Sequence, residues 1–417
     1  METSYPIIII GGGVAGLSCA RYLQQAGREC LILEAAEAVG GRVRTDLHEG
    51  FRLDRGFQIL LTSYPEAKRL LDYDSLDLQA FRSGAIIRQE SRTDGFTEMP
   101  NPLKEPLGVF KALSAPVGSL ADKMRLVELM RDVNDVTRAE DFFKDADTST
   151  LNYLQDYGWS DEMIANFFRP FFGGVFLENE LATSSNFFRF VFKQFYNGDA
   201  VIPAKGMQAI PEQMATKLPT GTVRLNAPVA RIEGQTVVLA NGETLRADKL
   251  VIATDAATAD RLLGKEVERE YNVTTCTYFA AERSPSTKKM IVLNPHQLSA
   301  VDHMCVPSDV ASDYAPGGQS LISVSTMGLE LSDEAKLAED IKMELSEWFG
   351  EDVRSWKHLR SYHLPQALIR FEAGSRGELL QLTPNLYRCG DYTAYPSLNA
   401  AMQTGREVAE MITLSAL

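Results

Sequence analysis

The sequence is poor in the residues that build disulfide frameworks and metal sites. It has five cysteines and five histidines among 417 residues, with no CxxC pair and no metal-ligand spacing. An odd, scattered set of thiols predicts reduced cysteines in a cytoplasmic protein and argues against a disulfide-stapled domain. The histidine spacing predicts that the protein has no structural or catalytic metal.

Positive charge and long apolar runs are also scarce. The 42 lysines and arginines are outnumbered by 56 aspartates and glutamates, which gives a formal net charge of −14. This balance argues against nucleic acid as a partner and offers no electrostatic attraction to anionic lipid. No apolar run approaches the ~18 residues of a membrane span, and a glycine-rich motif starts so early that we expect no secretory signal. The remaining composition is that of a soluble globular protein, long enough for two or three domains.

The first motif that is present combines a strand with a phosphate-binding turn. An apolar strand is predicted over residues 7–10, and Gly11, Gly13 and Gly16 follow it in a GxGxxG spacing that opens a helix. In such a turn the first glycine makes the tight bend, the second lets the backbone approach a pyrophosphate, and the third lets the helix pack closely on the strand. The spacing predicts a dinucleotide site at the N-terminus of the first helix.

A second strand supplies the acid that this kind of site requires. The strand is predicted over residues 30–33 and ends on Glu34, whose carboxylate can accept hydrogen bonds from the ribose hydroxyls of the adenosine. Gly40, Gly41 and Arg42 follow within a few residues. Strand, turn, helix and acid together predict dinucleotide binding more strongly than the glycines alone.

The order of strands and helices predicts an α/β protein with a discontinuous Rossmann-type domain and a second domain of the α+β type. The second domain is expected to combine a mixed sheet with helices, because strand-like runs there alternate with long helical segments. The predicted dinucleotide-binding domain comprises residues 1–80, 200–265 and 370–417. The predicted substrate-binding domain comprises residues 81–199 and 266–369, with its helical part at about 100–199.

Three features indicate FAD instead of NAD. The glycine pair before Arg42 resembles the GG signature of the two-dinucleotide flavoproteins, and Val229 lies in a strand of the kind that presents backbone to adenine in that family. Gly390 and Asp391, before the last helix, resemble its C-terminal flavin motif. Over nearly its whole length the chain is similar to the flavin-containing amine oxidase superfamily, which includes monoamine oxidases, protoporphyrinogen oxidases and phytoene-type desaturases.

The resemblance implies a Rossmann-type FAD-binding domain and a non-covalent FAD, since no cysteine falls at the family's flavinylation position. The catalytic candidates for contacting substrate are Gln58, Lys205 and Tyr395, of which the resemblance places Gln58 beside the isoalloxazine. The implied FAD contacts are Gly11, Gly13, Val14, Ala15, Gly16, Glu34, Ala35, Gly40, Gly41, Arg42, Gly56, Phe57, Gln58, Val229, Ala253, Thr254, Gly390, Asp391, Leu398 and Asn399.

The branch of the superfamily determines the expected substrate. Amine oxidases place a lysine near flavin N5 and build an aromatic cage beside the flavin. When this sequence is aligned with the family pattern, the lysine position falls on Thr275 and one cage tyrosine position falls on Ser397. Tyr392 and Tyr395 are near in sequence, so a substitute cage is possible. These departures weaken amine oxidation, and the C-terminal motif looks more like the carotenoid-desaturase branch.

We therefore expect an FAD-dependent oxidoreductase that takes a hydride from a hydrophobic, isoprenoid or carotenoid-like substrate onto flavin N5, with re-oxidation by quinone or oxygen. The alternatives are a flavin amine oxidase acting on a primary amine or polyamine and, from another class, a non-redox flavin mutase or FAD-binding scaffold. The many phenylalanines of residues 142–195 fill a helical core, line an apolar cavity, or do both. Residues 103–117 form either a peripheral membrane contact or a packed lid.

Overall fold

The computed structural model describes residues 3–89, 95–101, 104, 117–296, 299–328 and 333–415. Most of the segment 103–117, for which we considered a membrane contact, lies outside the described residues. None of the helices within the described ranges combines the length and the apolar character that a membrane span needs.

The described chain contains twenty strands in four sheets. They are β1 (Thr3–Ile10), β2 (Leu31–Leu33), β3 (Thr45–His48), β4 (Phe51–Asp54), β5 (Leu60–Leu61), β6 (Leu78–Ala80), β7 (Gly84–Arg88), β8 (Phe96–Pro100), β9 (Ala200–Pro203), β10 (Val223–Arg224), β11 (Val229–Glu233), β12 (Thr236–Leu239), β13 (Thr244–Ile252), β14 (Tyr271–Ala281), β15 (Ile291–Leu293), β16 (His303–Cys305), β17 (Ser320–Met327), β18 (Lys357–Ile369), β19 (Gln381–Thr383) and β20 (Leu386–Arg388).

The helices connect and cover these sheets. They are α1 (Val14–Gln25), α2 (Pro65–Leu70), α3 (Tyr73–Leu76), α4 (Leu120–Asp135), α5 (Thr150–Asp156), α6 (Asp161–Met163), α7 (Arg169–Phe176), α8 (Ser185–Asn197), α9 (Ala209–Thr216), α10 (Ala256–Leu262), α11 (Pro307–Val310), α12 (Glu334–Phe349) and α13 (Leu398–Leu414). A π-helical turn, Ile164–Phe168, joins α6 to α7, and short 3-10 segments lie at Ala139–Lys144, Ser312–Tyr314, Glu351–Ser355 and Asp391–Thr393.

The eight-stranded sheet has the parallel centre that the sequence predicts. Strands β10, β2, β1, β13 and β20 run parallel to one another, and β12, β11 and β19 add antiparallel edges. The second half of β1 is an all-isoleucine run that is buried throughout, as expected for a parallel strand covered on both faces. Because the carboxyl ends of parallel strands meet at one edge, the loops after β1, β2, β13 and β20 converge there.

Helices α1 and α13 pack closely beside this sheet, although they are far apart in the chain. A Cβ on Gly405 of α13 would lie 2.3 Å from the carbonyl oxygen of Ala15 in α1. The missing side chain therefore allows the two helix backbones to approach each other. The C-terminal segment is thereby fixed against the phosphate-binding turn.

The seven-stranded sheet has the order β18-β14-β17-β16-β15-β7-β8 and is antiparallel except for the β15–β7 pair. Strands β7 and β8 pair antiparallel at one edge of this sheet. One face of the sheet packs on α12, with Phe279, Ile322 and Val324 buried in that contact. The opposite face approaches the loop after β4, which the resemblance places beside the flavin. The domain boundaries stay a prediction, whereas the mixed α/β architecture is confirmed.

The phenylalanines of the helical segment differ in burial, which confirms a helical core and leaves the apolar cavity a prediction. Seven rings are almost fully buried in one core that also spans the two sheets: Phe142, Phe168, Phe172, Phe176, Phe187, Phe188 and Phe190. Four others are only half-buried: Phe143, Phe167, Phe171 and Phe195. The first set fills a core, and the second is available to line a cavity.

Candidate functional site

The phosphate-binding turn is shaped by three glycines with different surroundings. Gly11 adopts φ +110°, and a Cβ there would lie 2.7 Å from the carbonyl oxygen of Ala253. A Cβ on Gly16 would lie only 2.1 Å from the Gly11 carbonyl oxygen, whereas one on Gly13 would meet nothing within 4 Å. Two glycines are therefore required by the protein itself, and the third opens onto free space at the start of α1.

That free space fits the phosphates of a dinucleotide. Helix α1 has no side-chain N-cap, so its first main-chain N–H groups, beginning with Val14 and Ala15, remain available to an anion. The position of Gly13 lets a ligand approach the backbone without displacing protein atoms. The residues predicted for the pyrophosphate are thus compatible with it.

Glu34 lies at the end of β2 beside this turn. Its carboxylate accepts hydrogen bonds from the main-chain N–H of Gly12 at 2.6 Å and of Ala36 at 2.8 Å, and the residue is only 9% exposed. Each oxygen keeps a further lone pair for the ribose hydroxyls predicted to bind here. The main-chain N–H of Ala227 donates to the Glu34 carbonyl at 2.8 Å, which brings the start of β11 and Val229 to the same edge. Ala35 is exposed beside them.

The glycine pair after β2 joins the turn directly. The Gly40 N–H donates to the carbonyl of Gly12 at 2.9 Å, and Gly40 forms an isolated parallel bridge with Gly13. A Cβ on Gly41 would lie 3.5 Å from the Cα of Gly13. The GG signature therefore lines the same opening as the phosphate-binding turn.

Arg42 and Asp391 form the contact that closes the site from the two ends of the chain. The Arg42 guanidinium donates to Asp391 Oδ1 at 2.5 Å, and a second N–H donates to the carbonyl of Ala367 at 3.2 Å. The side chain of Arg42 is 44% exposed and that of Asp391 is 9% exposed, so the pair lines an open cleft. The carboxylate raises the pKa of Arg42, which keeps this cation charged and available to phosphate or ribityl oxygens.

The remaining predicted FAD contacts surround this pair. Ala253 donates its N–H to the carbonyl of Ile10 at 2.8 Å, and Thr254 follows it at the same sheet edge. The Gly390 N–H donates to Thr404 Oγ1 at 3.0 Å, which ties the loop after β20 to α13. Leu398 begins α13 and is half-buried.

Asn399 has a structural role in addition to the predicted one. Its side-chain oxygen accepts from the main-chain N–H of Glu66 at 3.1 Å, and its amide nitrogen donates to Tyr395 Oη at 2.9 Å. The residue is buried. Its side chain therefore positions α2 against α13, so that the contact it can offer to FAD is the main chain at the helix N-terminus.

The loop Gly56–Gln58 is held in place from both sides. Gly56 adopts φ +94°, and a Cβ there would lie 2.6 Å from Leu364 Cδ1 of β18. Gln58 Nε2 donates to the carbonyl of Arg42 at 2.9 Å and to that of Arg55 at 3.1 Å. The amide nitrogen of Gln58 thus fixes the loop to the Arg42 backbone, and only its side-chain oxygen remains for a substrate contact.

Asp54, at the end of β4, supports that loop from beneath and was not among the predicted site residues. Its carboxylate accepts from Thr45 Oγ1 at 2.5 Å, from the Met207 N–H at 3.0 Å and from Tyr314 Oη at 2.7 Å. Tyr278 Oη donates to the Asp54 carbonyl at 2.9 Å. Burial raises the pKa of Asp54 to about 6. The only sequence signal was its place shortly before Gly56, Phe57 and Gln58, which the resemblance assigns to the flavin.

The register of β14 corrects the position that we assigned to the amine oxidase lysine. Thr275 donates to the carbonyl of Gly328 and lies within 3.1 Å of His363 Nδ1. Because side chains alternate along a strand, Thr275 lies on the same face as Phe279, which packs on α12. Cys276 and Tyr278 occupy the face toward Asp54. Cys276 therefore lies on the side of the loop that the resemblance places beside the flavin, which we call the flavin-side face of the sheet.

His303 lies on the same sheet face as Cys276 and had no sequence signal. It pairs across strands with Ser325, which in turn pairs with Cys276. Its ring centroid is 5.6 Å from that of Phe57, and the residue is 4% exposed. Its Nδ1 has no hydrogen-bond partner in the described part of the chain. Burial lowers the pKa of His303 to about 4, which keeps the imidazole neutral at pH 7.

Neither of the tyrosines considered for a substitute cage faces the Gly56–Gln58 loop. Tyr395 is 3% exposed, its hydroxyl donates to Gln403 Oε1 at 3.1 Å, and its ring stacks on Phe143 at 4.6 Å. Tyr392 is also buried, but it packs in a different hydrophobic cluster. The two tyrosines therefore do not form a cage, and Tyr395 belongs to the helical core.

Ser397 and Lys205 also differ from the roles considered for them. Ser397 is the N-cap of α13, where its Oγ accepts from the Ala400 N–H at 3.0 Å. A tyrosine there would remove this cap. Lys205 is exposed in the turn between β9 and α9. Of the three predicted substrate contacts, the structure keeps only Gln58 within the loop beside the cleft.

Comparison with known proteins identifies the family. A family model described as flavin containing amine oxidoreductase matches residues 14–413. The chain belongs to this family. Members use FAD, so the protein is an FAD-dependent oxidoreductase, which confirms the resemblance, the cofactor and the enzyme class inferred from the sequence.

The relatives within the family come from both branches. Polyamine oxidase 2 of Arabidopsis thaliana is 47% identical over 57 residues, which are 13% of this chain and 12% of that protein. The 15-cis-phytoene desaturase of Capsicum annuum is 22% identical over 458 aligned residues, which cover 97% of this chain and 77% of that one. A crystal structure of a cysteine variant of putrescine oxidase superposes with a TM-score of 0.72 at 17% identity, covering 98% of this chain and 99% of that one. The structural likeness shows a shared fold, and the chain matches only about an eighth of the polyamine oxidase.

Proposed function

We propose that this flavoenzyme dehydrogenates a hydrophobic substrate of the isoprenoid or carotenoid type. Bound FAD supplies N5 as the hydride acceptor, so the substrate loses a hydride to the flavin and a proton to solvent and gains a carbon–carbon double bond. The two electrons then pass to a quinone, giving a quinol, or to oxygen, giving peroxide. The observation that carries the proposal is a pair of half-buried aromatic groups, one at the Gly56–Gln58 loop and one on α7 and α8, with the buried His303 between them; together we call them the ring wall.

The ring wall starts at this loop and reaches α7 beside His303. The ring of Phe57 lies 6.0 Å from that of Phe81 and 5.6 Å from that of His303. A Cβ on Gly174 of α7 would lie 3.1 Å from His303 Nδ1. Three residues earlier on the same helix is Phe171, so the two positions share a face.

Phe171 extends the ring wall toward the next helix. Its ring lies 5.1 Å from that of Phe195 in α8 and 5.6 Å from that of Phe167. All three rings are half-buried, in contrast to the fully buried Phe168 and Phe172 between them. Partly exposed rings in a row provide an apolar surface against which a hydrocarbon chain could lie.

The polar surroundings of the loop fit hydride removal from carbon better than amine oxidation. On the flavin-side face of the sheet lies Cys276, a buried thiol whose pKa burial raises to about 11, so it is neutral at pH 7. His303 is neutral as well. Ser397 is committed to capping α13. These residues can therefore position the substrate and exclude water, but they offer no charged acid–base group.

The proposal is tested by anaerobic stopped-flow mixing of the holoenzyme with two substrate panels. The first panel contains linear isoprenoids and polyenes in detergent micelles, and the second contains primary amines and polyamines. We expect loss of the oxidised-flavin absorbance with the first panel. Reduction by amines alone would replace the proposal with the amine oxidase alternative.

A matched pair of phenylalanine variants tests the ring wall. Phe171→Leu should raise KM for the reducing substrate several-fold with little change in thermal stability, because the ring is half-buried. Phe176→Leu, whose ring is fully buried in the same helix, should lower stability by roughly 1 kcal/mol and leave KM unchanged. Equal effects of both variants on KM would contradict a substrate site at the ring wall.

A further inference from the structure

A second concave site, between α2, the Ala139–Lys144 segment and α8, shares no lining residue with the residues assigned to the flavin cleft. Its volume is about 200 Å³, and its cationic lining residues are Lys68, Arg138 and Lys193. A water molecule occupies roughly 30 Å³ of liquid, so the cavity has room for a small anion with its hydration. None of the residues described at its wall is acidic.

The positive charge of this cavity contrasts with the rest of the molecule. The chain carries a formal charge of −14, yet the cavity gathers three cations. Arg138 pairs with the carboxylate of Glu140 at 3.4 Å, and the nearby Asp141 also raises the pKa of Arg138. Among the described residues, neither Lys68 nor Lys193 has a carboxylate within ion-pair distance. Glu66, on the same helix as Lys68, is already held by Arg406 at 3.0 Å and by Arg69 at 2.7 Å.

Lys193 is held in place by neutral groups. Its Nζ donates to the carbonyl of Val136 and lies 5.9 Å from the ring centroid of Phe142. Burial lowers the pKa of Lys193, since no anion compensates the lost hydration. The ammonium group is therefore oriented at the cavity while its charge is left uncompensated.

Gln194 supplies a buried polar group at the same place. The residue is 5% exposed, and its main-chain carbonyl accepts from Ser63 Oγ at 2.7 Å. Its side-chain amide makes no hydrogen bond with any residue in the described ranges. The residue lines the cavity, so this amide is free to donate to a ligand there.

We propose that this cavity binds a phosphate group, either as inorganic phosphate or as part of a phosphate monoester. Two lysines provide point charges, Arg138 provides a planar pair of donors, and the Gln194 amide provides a neutral donor. The site is separate from the flavin cleft and does not depend on the proposed function.

The experiment is isothermal titration calorimetry of the FAD-saturated holoenzyme, in chloride buffer of constant ionic strength. Holoenzyme is used because FAD already fills the pyrophosphate site at α1. Inorganic phosphate and phenyl phosphate are titrated separately. We expect saturable binding with one site per chain, and the tighter of the two ligands identifies the source of the phosphate group. Absence of saturable binding by both would overturn the proposal.

Variants locate the site. Lys68→Gln and Gln194→Leu should each weaken binding about tenfold, and the second keeps the Ser63 contact because that contact uses the main chain. Arg283→Gln is the matched control, since Arg283 is exposed and pairs with Asp352 outside the cavity. If Lys68→Gln and Arg283→Gln change the affinity equally, binding is a non-specific charge effect and the proposal is wrong. Because Lys68 is exposed, its variant is expected to fold normally.

Discussion

Two regions meet at the Gly56–Gln58 loop, and they are built in different ways. The nucleotide edge of the eight-stranded sheet consists of short contiguous motifs in which main-chain groups make most contacts, as at Gly12, Gly40 and Gly390. The flavin-side face of the seven-stranded sheet consists of single residues from separate strands, including Cys276 and His303. In the first region local sequence creates the surface, and in the second the strand register does.

The same difference appears in the polar groups of the two regions. At the nucleotide edge charges remain accessible, as in the half-exposed Arg42 side chain. Beneath the loop the ionisable groups are buried, and their pKa values shift in opposite directions, upward for Asp54 and downward for His303. The first region is suited to binding an anion, whereas burial in the second disfavours the charged forms of both groups.

The largest effect is expected in the phosphate-binding turn, where some glycines are required for folding and one is required for binding the ligand. Gly16→Val should lower the free energy of unfolding by more than about 4 kcal/mol, because even a Cβ would lie 2.1 Å from the Gly11 carbonyl oxygen. Gly13→Ala should leave the FAD-free protein as stable as the wild type while weakening FAD binding strongly. Urea denaturation and flavin fluorescence titration measure the two quantities. Normal FAD affinity in Gly13→Ala would mean that the phosphates lie elsewhere.

His303 should make the protein sensitive to acid. Its folded pKa of about 4 is below the ordinary value of 6.5, so its contribution to stability is present above pH 6.5 and is lost as pH falls toward 4. At ~1.4 kcal/mol per pKa unit, the loss is at most roughly 3.5 kcal/mol. His303→Gln should remove this loss, which urea denaturation between pH 4 and 7.5 measures. Parallel pH profiles for the two proteins would show that the imidazole is not buried.

Asp54 should have the opposite pH dependence. Its folded pKa of about 6 is above the ordinary value of 3.8, so its stabilising contribution is full below pH 3.8 and is lost as pH rises through 6. The loss is at most roughly 3 kcal/mol, at ~1.4 kcal/mol per pKa unit. In Asp54→Asn this pH-dependent step should be absent, although the protein is less stable overall because the Thr45, Met207 and Tyr314 donors lose a carboxylate. A step of unchanged size in the variant would assign it to another group.

Arg42→Met should affect the nucleotide edge alone. Removing the guanidinium leaves Asp391 without its partner and takes a cation from the cleft, which should weaken FAD binding by about 2 kcal/mol. Arg231→Met is the control, since Arg231 is exposed and pairs with Glu233. Flavin fluorescence titration measures both. A similar loss in the control would indicate a general effect of charge on FAD binding.

The smallest effect is expected at Ser397. Ser397→Ala should lower the stability by about 1 kcal/mol through loss of the N-cap of α13, without changing KM for the reducing substrate. Thermal unfolding and steady-state kinetics measure the two effects. A change in KM without a change in stability would return Ser397 to the role of a cage position.

Much of the first region was predictable because its motifs are local. The strand, turn and helix over residues 3–25 and helix α13 follow from spacings of a few residues. The convergence of Arg42 and Asp391 was predictable in outline, since both motifs resemble parts of one family site. Their direct contact at 2.5 Å, across 349 positions of the chain, required the folded protein.

The sequence by itself determined the phosphate-binding turn, the FAD-dependent family and the α/β architecture, because each is encoded by residues close together in the chain. Only the tertiary structure decided which residues face the Gly56–Gln58 loop. A shift of one residue moves a side chain to the other face of a strand, which is why Thr275 lies toward α12 and Cys276 toward Asp54. Burial and partners likewise assigned Tyr395 to the core and Asp54 to the support of the loop, since both depend on segments distant in sequence.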